Sequence, residues 1–243
     1  MSATGSPGTT ASLRSANQQR VVDVLRSGDR VTQADLARQT GLAPATVSSI
    51  VRDLSAAGLV STEPGAGRRG TTVALAPSAG VVAGVDFGHS HVAVALGDLT
   101  GSLLAERRTP LDSGHPSHEG LDAAARLLAD VLVDAGMAAT SLRCLGMGLP
   151  APMTSGVVRS SAILPGWVGV NAHDAARDRF GLAVHVENDA NLGALAGHAN
   201  SVFVKVSSGV GAGIVLEDRL FHGSGGTAGR AGRRRRGRSW PPR

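Results

Sequence analysis

The chain has 243 residues, of which 42% are hydrophobic and 33 are glycine, a composition typical of soluble globular proteins. That length allows one small and one medium domain. No apolar run reaches the ~20 residues of a transmembrane helix, and the N-terminal segment lacks the apolar centre of a signal peptide, so we expect a cytoplasmic protein without membrane contact. The single cysteine, Cys144, excludes a disulfide framework and a multi-cysteine zinc site, and its apolar neighbours predict a buried core thiol.

Positive charge is concentrated at the C-terminal end. The net charge is +5 and the isoelectric point is near 11.0, a balance often found in nucleic-acid-binding proteins. Seven of the 24 basic residues, however, lie in the last fifteen positions, which contain no acid. The remainder holds 17 basic and 19 acidic residues, so an argument for DNA binding has to depend on local features.

Residues 14–76 predict three helices followed by a β-hairpin. Apolar residues recur there at helical spacings of three and four. These positions are Val21, Val22, Leu25, Leu36, Ala37, Val47, Ile50, Val51 and Leu54. Thr32 is expected to cap the second helix, Gly41 to end it and Pro44 to begin the third. With the glycine-rich basic hairpin as a wing, the pattern predicts a winged helix-turn-helix domain over residues 14–76, preceded by a disordered segment over residues 1–13.

The third helix, predicted over Pro44–Ala57, has the side chains expected of a recognition helix. Small hydroxyl and methyl groups can approach base edges without clashing, while arginines contact phosphate. The predicted DNA-contacting residues are Ala45, Thr46, Ser48, Ser49 and Arg52 on this helix, with Arg68 and Arg69 in the wing. The alternative is a three-helix packing module that never touches DNA, and the wing argues against it.

Beyond Pro77 the periodicity becomes strand-like and then alternates with helices. Strands are predicted in "GVVAGVDFG", "HVAVALGDL" and "SLLAERRTPL", a helix in "EGLDAAARLLADVLVDAG", and a further strand in "LRCLGMGLPAP". This order indicates an α/β domain with a mixed sheet over residues 80–229. Glycine clusters lie at the strand ends, where backbone N–H groups can approach an anion or a sugar.

The second segment resembles the family of sugar-responsive repressors and sugar kinases known as ROK (repressor, open reading frame, kinase). The resemblance is carried, in family order, by "GVDFGHSHVAVALGDLTG", "GMGLPAP", "LPGW", "VENDAN" and "SSGVGAGIVLEDRLFHGSGGTAG". With the winged helix it runs from about residue 14 to 229 and points to the repressor branch. It implies a partial actin-like (ribonuclease H-like) domain of the ATPase type, with a sugar held in the cleft between two lobes.

The resemblance assigns candidate roles to two motifs. Asp86 and Gly88 correspond to the phosphate-binding turn of the kinases, but His89 replaces a second glycine and adds a ring where phosphate would approach, which argues against use of ATP. Asn188 and Asp189 of "VENDAN" correspond to sugar contacts, and in kinases the aspartate is the general base. The alternative is that both only cap the following helix. Trp167 is expected to be a core residue rather than a stacking platform.

The C-terminal end departs from the family pattern. Where the family has Gly-Glu-x-Gly-His and a zinc loop, Arg230 and Arg233 replace the sugar-binding Glu and the His, and no zinc cysteines follow. We expect residues 230–243 to be disordered because they combine dense like charge with two prolines. The change indicates a shifted reading frame or a truncated gene product; the alternative is a basic arm that strengthens DNA binding.

These features predict a DNA-binding transcriptional regulator of the sugar-responsive repressor type with an incomplete effector domain. The expected partners are an operator in double-stranded DNA, a second copy of the chain in a homodimer, and a small sugar effector that is bound weakly or no longer bound. No catalytic residue, cofactor or metal ligand is predicted. The alternatives are a sugar kinase of the same family with an accessory winged helix, or a nonfunctional truncated fragment.

Overall fold

The computed structural model describes residues 10–26, 30–65, 70–76, 79–112, 114–197, 200–207, 209–223 and 228. The chain divides into two compact units, one running to Val82 and including Gly97–Leu104, the other comprising Ala83–Leu96 and the chain from Ala105 onward. No helix in the described part of the chain is long and apolar enough to cross a membrane.

The described part of the first unit contains three helices and a small sheet. In chain order the elements are α1 (Thr10–Leu25), β1 (Val31–Thr32), α2 (Gln33–Thr40), α3 (Pro44–Ala56), β2 (Val60–Glu63) and β3 (Thr72–Leu75). The strand order is β1-β3-β2, and both pairings are antiparallel. The predicted winged helix-turn-helix is therefore present. Helix α1 begins at Thr10, so residues 10–13 are helical where we expected disorder, and residues 1–9 lie outside the described part.

Local signals set the boundaries of α2 and α3. The Thr32 side chain accepts a hydrogen bond from the Asp35 backbone N–H at 3.1 Å, and Gly41 closes α2 with a left-handed φ of 69°. Such a φ costs glycine nothing, since it has no Cβ. Pro44 occupies the first turn of α3, where its missing N–H would have no helical partner. All three predicted boundary residues are confirmed; Ala57 is the C-terminal cap of α3 rather than its last residue.

One apolar cluster joins the helices of the first unit to its sheet. It contains the buried side chains of Val21, Leu25, Val31, Leu36, Val47, Ile50, Val51, Leu54, Val60 and Val73. Seven of the nine apolar positions named from the sequence are among them, and the other two, Val22 and Ala37, pack against the cluster. The helical spacing therefore identified the inward faces of α1, α2 and α3.

The remaining chain forms three further helices and ten strands among the described residues. Its elements are β4 (Val81–Phe87), β5 (His91–Asp98), β6 (Leu103–Pro110), α4 (Ser117–Asp134), β7 (Leu142–Leu149), β8 (Met153–Thr154), β9 (Val157–Val158), α5 (Ala172–Phe180), β10 (Val184–Asn188), α6 (Asp189–Leu195), β11 (Ser201–Val206), β12 (Val210–Leu216) and β13 (Arg219–Leu220). Short 3-10 turns span Ala139–Ser141 and Pro165–Trp167. The predicted mixed α/β organisation is confirmed.

Two sheets of three or more strands form from these elements. The larger has the order β10-β7-β4-β5-β6, with β10 parallel to β7, and the smaller has the order β11-β12-β13 with antiparallel pairing. Burial increases along β7, so Cys144 near its beginning is only partly buried, and the prediction of a buried thiol is wrong. Leu145, Met147 and Leu149, further along the strand, are fully buried.

A buried aromatic group anchors the "LPGW" motif. Trp167 and Phe87 are both completely buried, with their rings 5.0 Å apart in an edge-on arrangement. The Trp167 indole Nε1–H donates to Nε2 of buried His115 at 3.3 Å, and His115 Nδ1 donates to the Asp112 carbonyl. A Cβ at Gly166 would lie 2.3 Å from the His115 carbonyl oxygen, so this position requires glycine. Trp167 is confirmed as a core residue.

Candidate functional site

The outer face of α3 is the candidate DNA-contacting surface. All five of the predicted contact residues on it are exposed or partly exposed: Ala45, Thr46, Ser48, Ser49 and Arg52. The Arg52 guanidinium forms no ion pair with any carboxylate of the described residues, so it is available to a phosphate. The adjacent Asp53 is instead paired with Arg14 of α1, which ties the third helix to the first.

Ser48 makes an internal contact that the sequence did not indicate. Its hydroxyl donates to the side-chain oxygen of Gln33 at 2.9 Å, which links the middle of α3 to the first residue of α2. Gln33 also donates its backbone N–H to the Thr71 carbonyl at 3.1 Å. Gln33 thus positions the two helices, and no sequence signal marked it because it lies fifteen residues from Ser48. Arg68 and Arg69 of the wing lie outside the described residues.

The second unit contains a cleft of about 750 Å³. Its walls come from the turn after β4, the loops around β8 and β9, the first turn of α6, and the strands β11 and β12. Asn188, Asp189 and Gly88 all line it, so the structure brings together the candidate sugar residues and the glycine of the candidate phosphate turn. A volume of this size is typical of small-molecule sites.

The Asn188 side chain is hydrogen-bonded to the backbone of three other residues. Its oxygen accepts from the Ala190 N–H at 3.0 Å, which caps α6, and its amide nitrogen lies 3.3 Å from the carbonyl oxygens of both Leu149 and Ala151. Both N–H groups and one lone pair of the amide are therefore used. Asn188 therefore caps α6 and also binds the end of β7.

Asp189 is held by a lysine that sequence analysis missed. Its Oδ2 lies 2.7 Å from the Lys205 ammonium nitrogen, and its Oδ1 accepts from the Ala190 N–H at 2.8 Å. The carboxylate is only 10% exposed, so the ion pair is largely screened from water. The available signal was a single charged residue in the otherwise apolar "SVFVKV" strand.

A second polar network supports the same turn. Glu187 accepts from the Asn188 backbone N–H at 2.7 Å and from the Asn191 side-chain amide at 2.9 Å, both at Oε1. Its Oε2 lies 2.7 Å from His222 Nε2, beyond β13. Because Asn191 is buried, these bonds satisfy polar atoms that would otherwise be unpaired. Four residues of the "VENDAN" motif thus build the first turn of α6.

The candidate phosphate turn is closed by a histidine. The Gly88 N–H donates to the His91 carbonyl at 2.9 Å, and a Cβ on Gly88 would lie 1.9 Å from the His91 ring. The ring that crowds the turn is therefore that of His91, whereas His89 is exposed. Asp86 lies at the end of β4, with its carboxylate 3.9 Å from the His91 ring nitrogen.

The environment of His91 favours the neutral imidazole. Burial lowers its pKa, the positive charge of Arg108 lowers it further, Asp86 opposes the shift by raising it, and Lys205 again lowers it. The arginine and the lysine both line the cleft, as His91 does. The cleft is therefore a positively charged environment at this wall.

No group of three or more His, Cys, Asp or Glu side chains in the described part of the chain is arranged to hold a metal ion. Arg230 and Arg233, which the resemblance assigned to the positions of a sugar-binding Glu and a His, lie outside the described residues.

The chain was compared with known families and proteins. Residues 82–237 match the model of the ROK family, and residues 15–69 match that of the MarR family. The xylose repressor of Bacillus spizizenii is 24% identical over 240 residues, covering 90% of this chain and 60% of that protein. The DNA-binding transcriptional dual regulator NagC of Escherichia coli is 28% identical over 236 residues, covering 90% and 56%.

A solved structure shares the fold of both parts. It is a ROK family transcriptional regulator described as a homologue of the E. coli MLC protein, with a TM-score of 0.71 and 22% identity, covering 89% of this chain and 58% of that one. This chain thus spans about 60% of the length of the curated relatives it matches. It has a winged helix followed by part of the actin-like fold of ROK proteins. Since the ROK model covers more than half of its residues, the chain belongs to the ROK family.

Proposed function

We propose that the protein is a DNA-binding transcriptional regulator of the sugar-responsive repressor type. The observation that carries the proposal is the winged helix with an exposed face of small side chains on α3 and an arginine, Arg52, without a carboxylate partner among the described residues. Such a helix fits the major groove, and an unpaired guanidinium can neutralise a phosphate. The names of the relatives, a xylose repressor and a DNA-binding dual regulator, support it.

The expected target is an operator in double-stranded DNA, bound in the cytoplasm by a homodimer. DNA-binding proteins with a helix-turn-helix place one recognition helix in each half-site of the DNA. A two-fold symmetric dimer therefore matches a palindromic site. Light scattering of the purified chain tests the dimer directly. A mass corresponding to one chain at the concentrations where operator binding is half-complete would contradict it.

The cleft supports a regulatory role rather than a kinase role. A general base has to accept a proton from a sugar hydroxyl, and the Asp189 carboxylate is instead occupied by Lys205 at 2.7 Å. The Gly88 N–H, which would face a phosphate, is already donated to the His91 carbonyl. A coupled assay for ADP release with a panel of sugars tests this point, and steady turnover would contradict it.

The DNA proposal is tested with the full chain and a duplex selected by it from a random library. We expect Arg52→Ala to weaken binding and to reduce the slope of log affinity against log salt by about one, because one phosphate contact is lost. Arg126→Ala, which removes an equal charge from the exposed surface of α4 in the second unit, is the matched control and should change neither quantity. If Arg52, Arg68 and Arg69 can all be replaced by Ala without effect, the winged helix does not bind DNA as proposed.

A further inference from the structure

The hydroxyl groups on the first half of α3 differ in their internal hydrogen bonding. Thr46, Ser48 and Ser49 are all partly exposed there. Ser48 donates its proton to the side-chain oxygen of Gln33 at 2.9 Å. The hydroxyls of Thr46 and Ser49 have no hydrogen-bond partner among the residues that the structure describes, so they can rotate. Within the described part of the chain, Ser48 therefore differs from the other two in having its proton committed inside the protein.

The oxygen that accepts from Ser48 is held on a fixed support. Gln33 is the first residue of α2, and its backbone N–H donates to the Thr71 carbonyl, just before β3, at 3.1 Å. The preceding residue, Thr32, pairs with Thr72 of β3. Because the backbone is tied to this strand at two successive residues, the Gln33 side chain reaches α3 from a rigid base. The direction of the Ser48 proton is thus set before any partner binds.

The direction of this bond decides what Ser48 can bind next. A hydroxyl has one proton and two lone pairs, so a proton given to Gln33 leaves Ser48 able only to accept. In the major groove, adenine and cytosine present an amino group where guanine and thymine present a carbonyl oxygen. A serine that can rotate binds either kind of base. Ser48 can therefore bind an amino group but not a carbonyl oxygen.

Ser48 lies at the part of a recognition helix that meets the bases. It is the fifth residue of α3, and the N-terminal residues of such a helix contact base edges. Its side chain is only partly buried although it is bonded to Gln33, so the bond does not remove it from the surface. Arg52, which carries the phosphate contact of the proposed function, lies one helical turn further along the same helix.

From these observations we propose that Gln33 is a specificity-determining residue, which restricts Ser48 to an operator base that bears an amino group, adenine or cytosine. Ser48 makes the contact, and Gln33 positions it. A bond from Ser48 to guanine O6 or thymine O4 would first break the bond to Gln33, which cancels most of the gain. The inference rests on the proposed DNA-binding function and adds to it which bases one hydroxyl distinguishes.

The test uses the full chain and the duplex that it selects from a random library. Duplexes with each of the four base pairs at every position of the site are titrated with the parent and with Ser48→Ala by fluorescence anisotropy. At one position of each half-site the parent should favour adenine or cytosine over guanine and thymine by about three- to tenfold, the value of one hydrogen bond, and Ser48→Ala should lose this preference. A preference for guanine or thymine that depends on Ser48 would overturn the proposal.

Removing the amino group from the selected base isolates the bond. Purine in place of the adenine, or pyrimidin-2-one in place of the cytosine, lacks only that group. The parent should bind such a duplex about three- to tenfold more weakly, whereas Ser48→Ala should bind both duplexes equally. Any change in the duplex itself is the same for both proteins and cancels in the comparison. An equal loss of affinity in the two proteins would overturn the proposal.

Variants of Gln33 separate this role from a structural one. Gln33→Met keeps the length of the side chain but removes the acceptor, so Ser48 regains its proton and the preference should fall below about twofold. Gln33→Glu keeps an acceptor and should retain the preference, although its negative charge weakens binding to every duplex. Gln39→Met, the same substitution at an exposed residue of α2, is the matched control and should change nothing. Weaker binding of Gln33→Met to every duplex, with the preference retained, would show a purely structural role and overturn the proposal.

The DNA-binding proposal and the inference on Gln33 fail in different ways. If the parent selects no duplex, DNA binding is refuted and the inference with it. If Arg52→Ala weakens binding to a selected duplex while Ser48→Ala and Gln33→Met leave every base preference unchanged, DNA binding stands and the inference on Gln33 is overturned.

Discussion

Gly213 on β12 allows α6 to lie directly on the smaller sheet, and replacing it with alanine tests that packing. A Cβ at Gly213 would lie 2.2 Å from the Ala190 carbonyl oxygen, 2.7 Å from its carbonyl carbon and 2.8 Å from the Ala194 Cβ. These distances are about an ångström shorter than the ordinary van der Waals separation of nonbonded heavy atoms, which is near 3.5 Å. Two of the three obstacles are backbone atoms of α6, so relief requires the helix to move away from the strand.

Gly211, two residues earlier on the same strand, is the matched control. A Cβ there would meet the Ala190 Cβ at 3.6 Å, an ordinary van der Waals contact. Neither glycine has a left-handed φ, so both substitutions restrict the unfolded chain to the same extent. The difference between the two variants therefore measures the clash in the folded protein.

We expect Gly213→Ala to lower the free energy of unfolding by about 3 kcal/mol, the upper end for overpacking, because backbone has to move. Gly211→Ala should stay within about 1 kcal/mol of the parent. At roughly 2–4 °C per kcal/mol for a domain of this size, the melting temperature of the Gly213→Ala protein should lie about 6–12 °C below that of the parent.

Urea titration followed by tryptophan fluorescence measures this difference. The chain has two tryptophans, so a Trp240→Phe background leaves buried Trp167 as the reporter of the second unit. Equal denaturation midpoints for the two alanine variants would refute the close packing of α6 on β12.

Two further predictions concern helix caps. Thr32→Ala should lower the free energy of unfolding by about 1 kcal/mol at neutral pH. The Thr32 hydroxyl also donates to the Asp35 carboxylate and lowers the pKa of that carboxyl group. The stabilisation from this bond is therefore present above the ordinary carboxyl pKa, and it is lost as the pH falls through the lowered pKa of Asp35. In thermal unfolding, the loss of stability of the Thr32→Ala protein relative to the parent should be smaller at pH 3 than at pH 7. An equal loss at both pH values would exclude a contribution from the Asp35 carboxylate. Asn188→Ala should cost about 1–2 kcal/mol by removing the cap of α6 and the bonds to β7, and a variant as stable as the parent in urea would show that these bonds contribute nothing.

The boundaries of α2 and α3 in the winged helix could be predicted from the sequence almost to the residue. Their signals are local: a capping threonine, a glycine with left-handed φ and a proline in a first turn each act through the backbone of their nearest neighbours. Apolar spacing then identified the buried faces, because a helix with one apolar stripe has one way to bury it. The strands β4 to β7 and the helix α4 were predicted for the same reason, since their periodicity extends over seven residues or more.

The candidate cleft was predictable only in part. The motif "VENDAN" marked Asn188 and Asp189, and both line the cleft, but what each side chain binds depends on residues far away in the chain. Lys205 reaches Asp189 from the neighbouring sheet, and Asn188 reaches the end of β7 across nearly forty positions. Neither contact leaves a periodic signal, because the separation is set by loops and a strand crossover rather than by a helix or strand repeat.

By itself, the amino-acid sequence determined the winged helix, the order of strands and helices that follows it, and the family to which the chain belongs. These depend on backbone preferences and on apolar patterns that act over a few residues. The tertiary structure decided which polar groups are already bonded and which remain free. Ser48 is bonded to Gln33, Asp189 to Lys205 and Gly88 to His91. Arg52 and Arg108 have no carboxylate partner among the described residues. Hydrogen bonds and ion pairs act over about 3 Å, so they form only after folding has brought distant segments together.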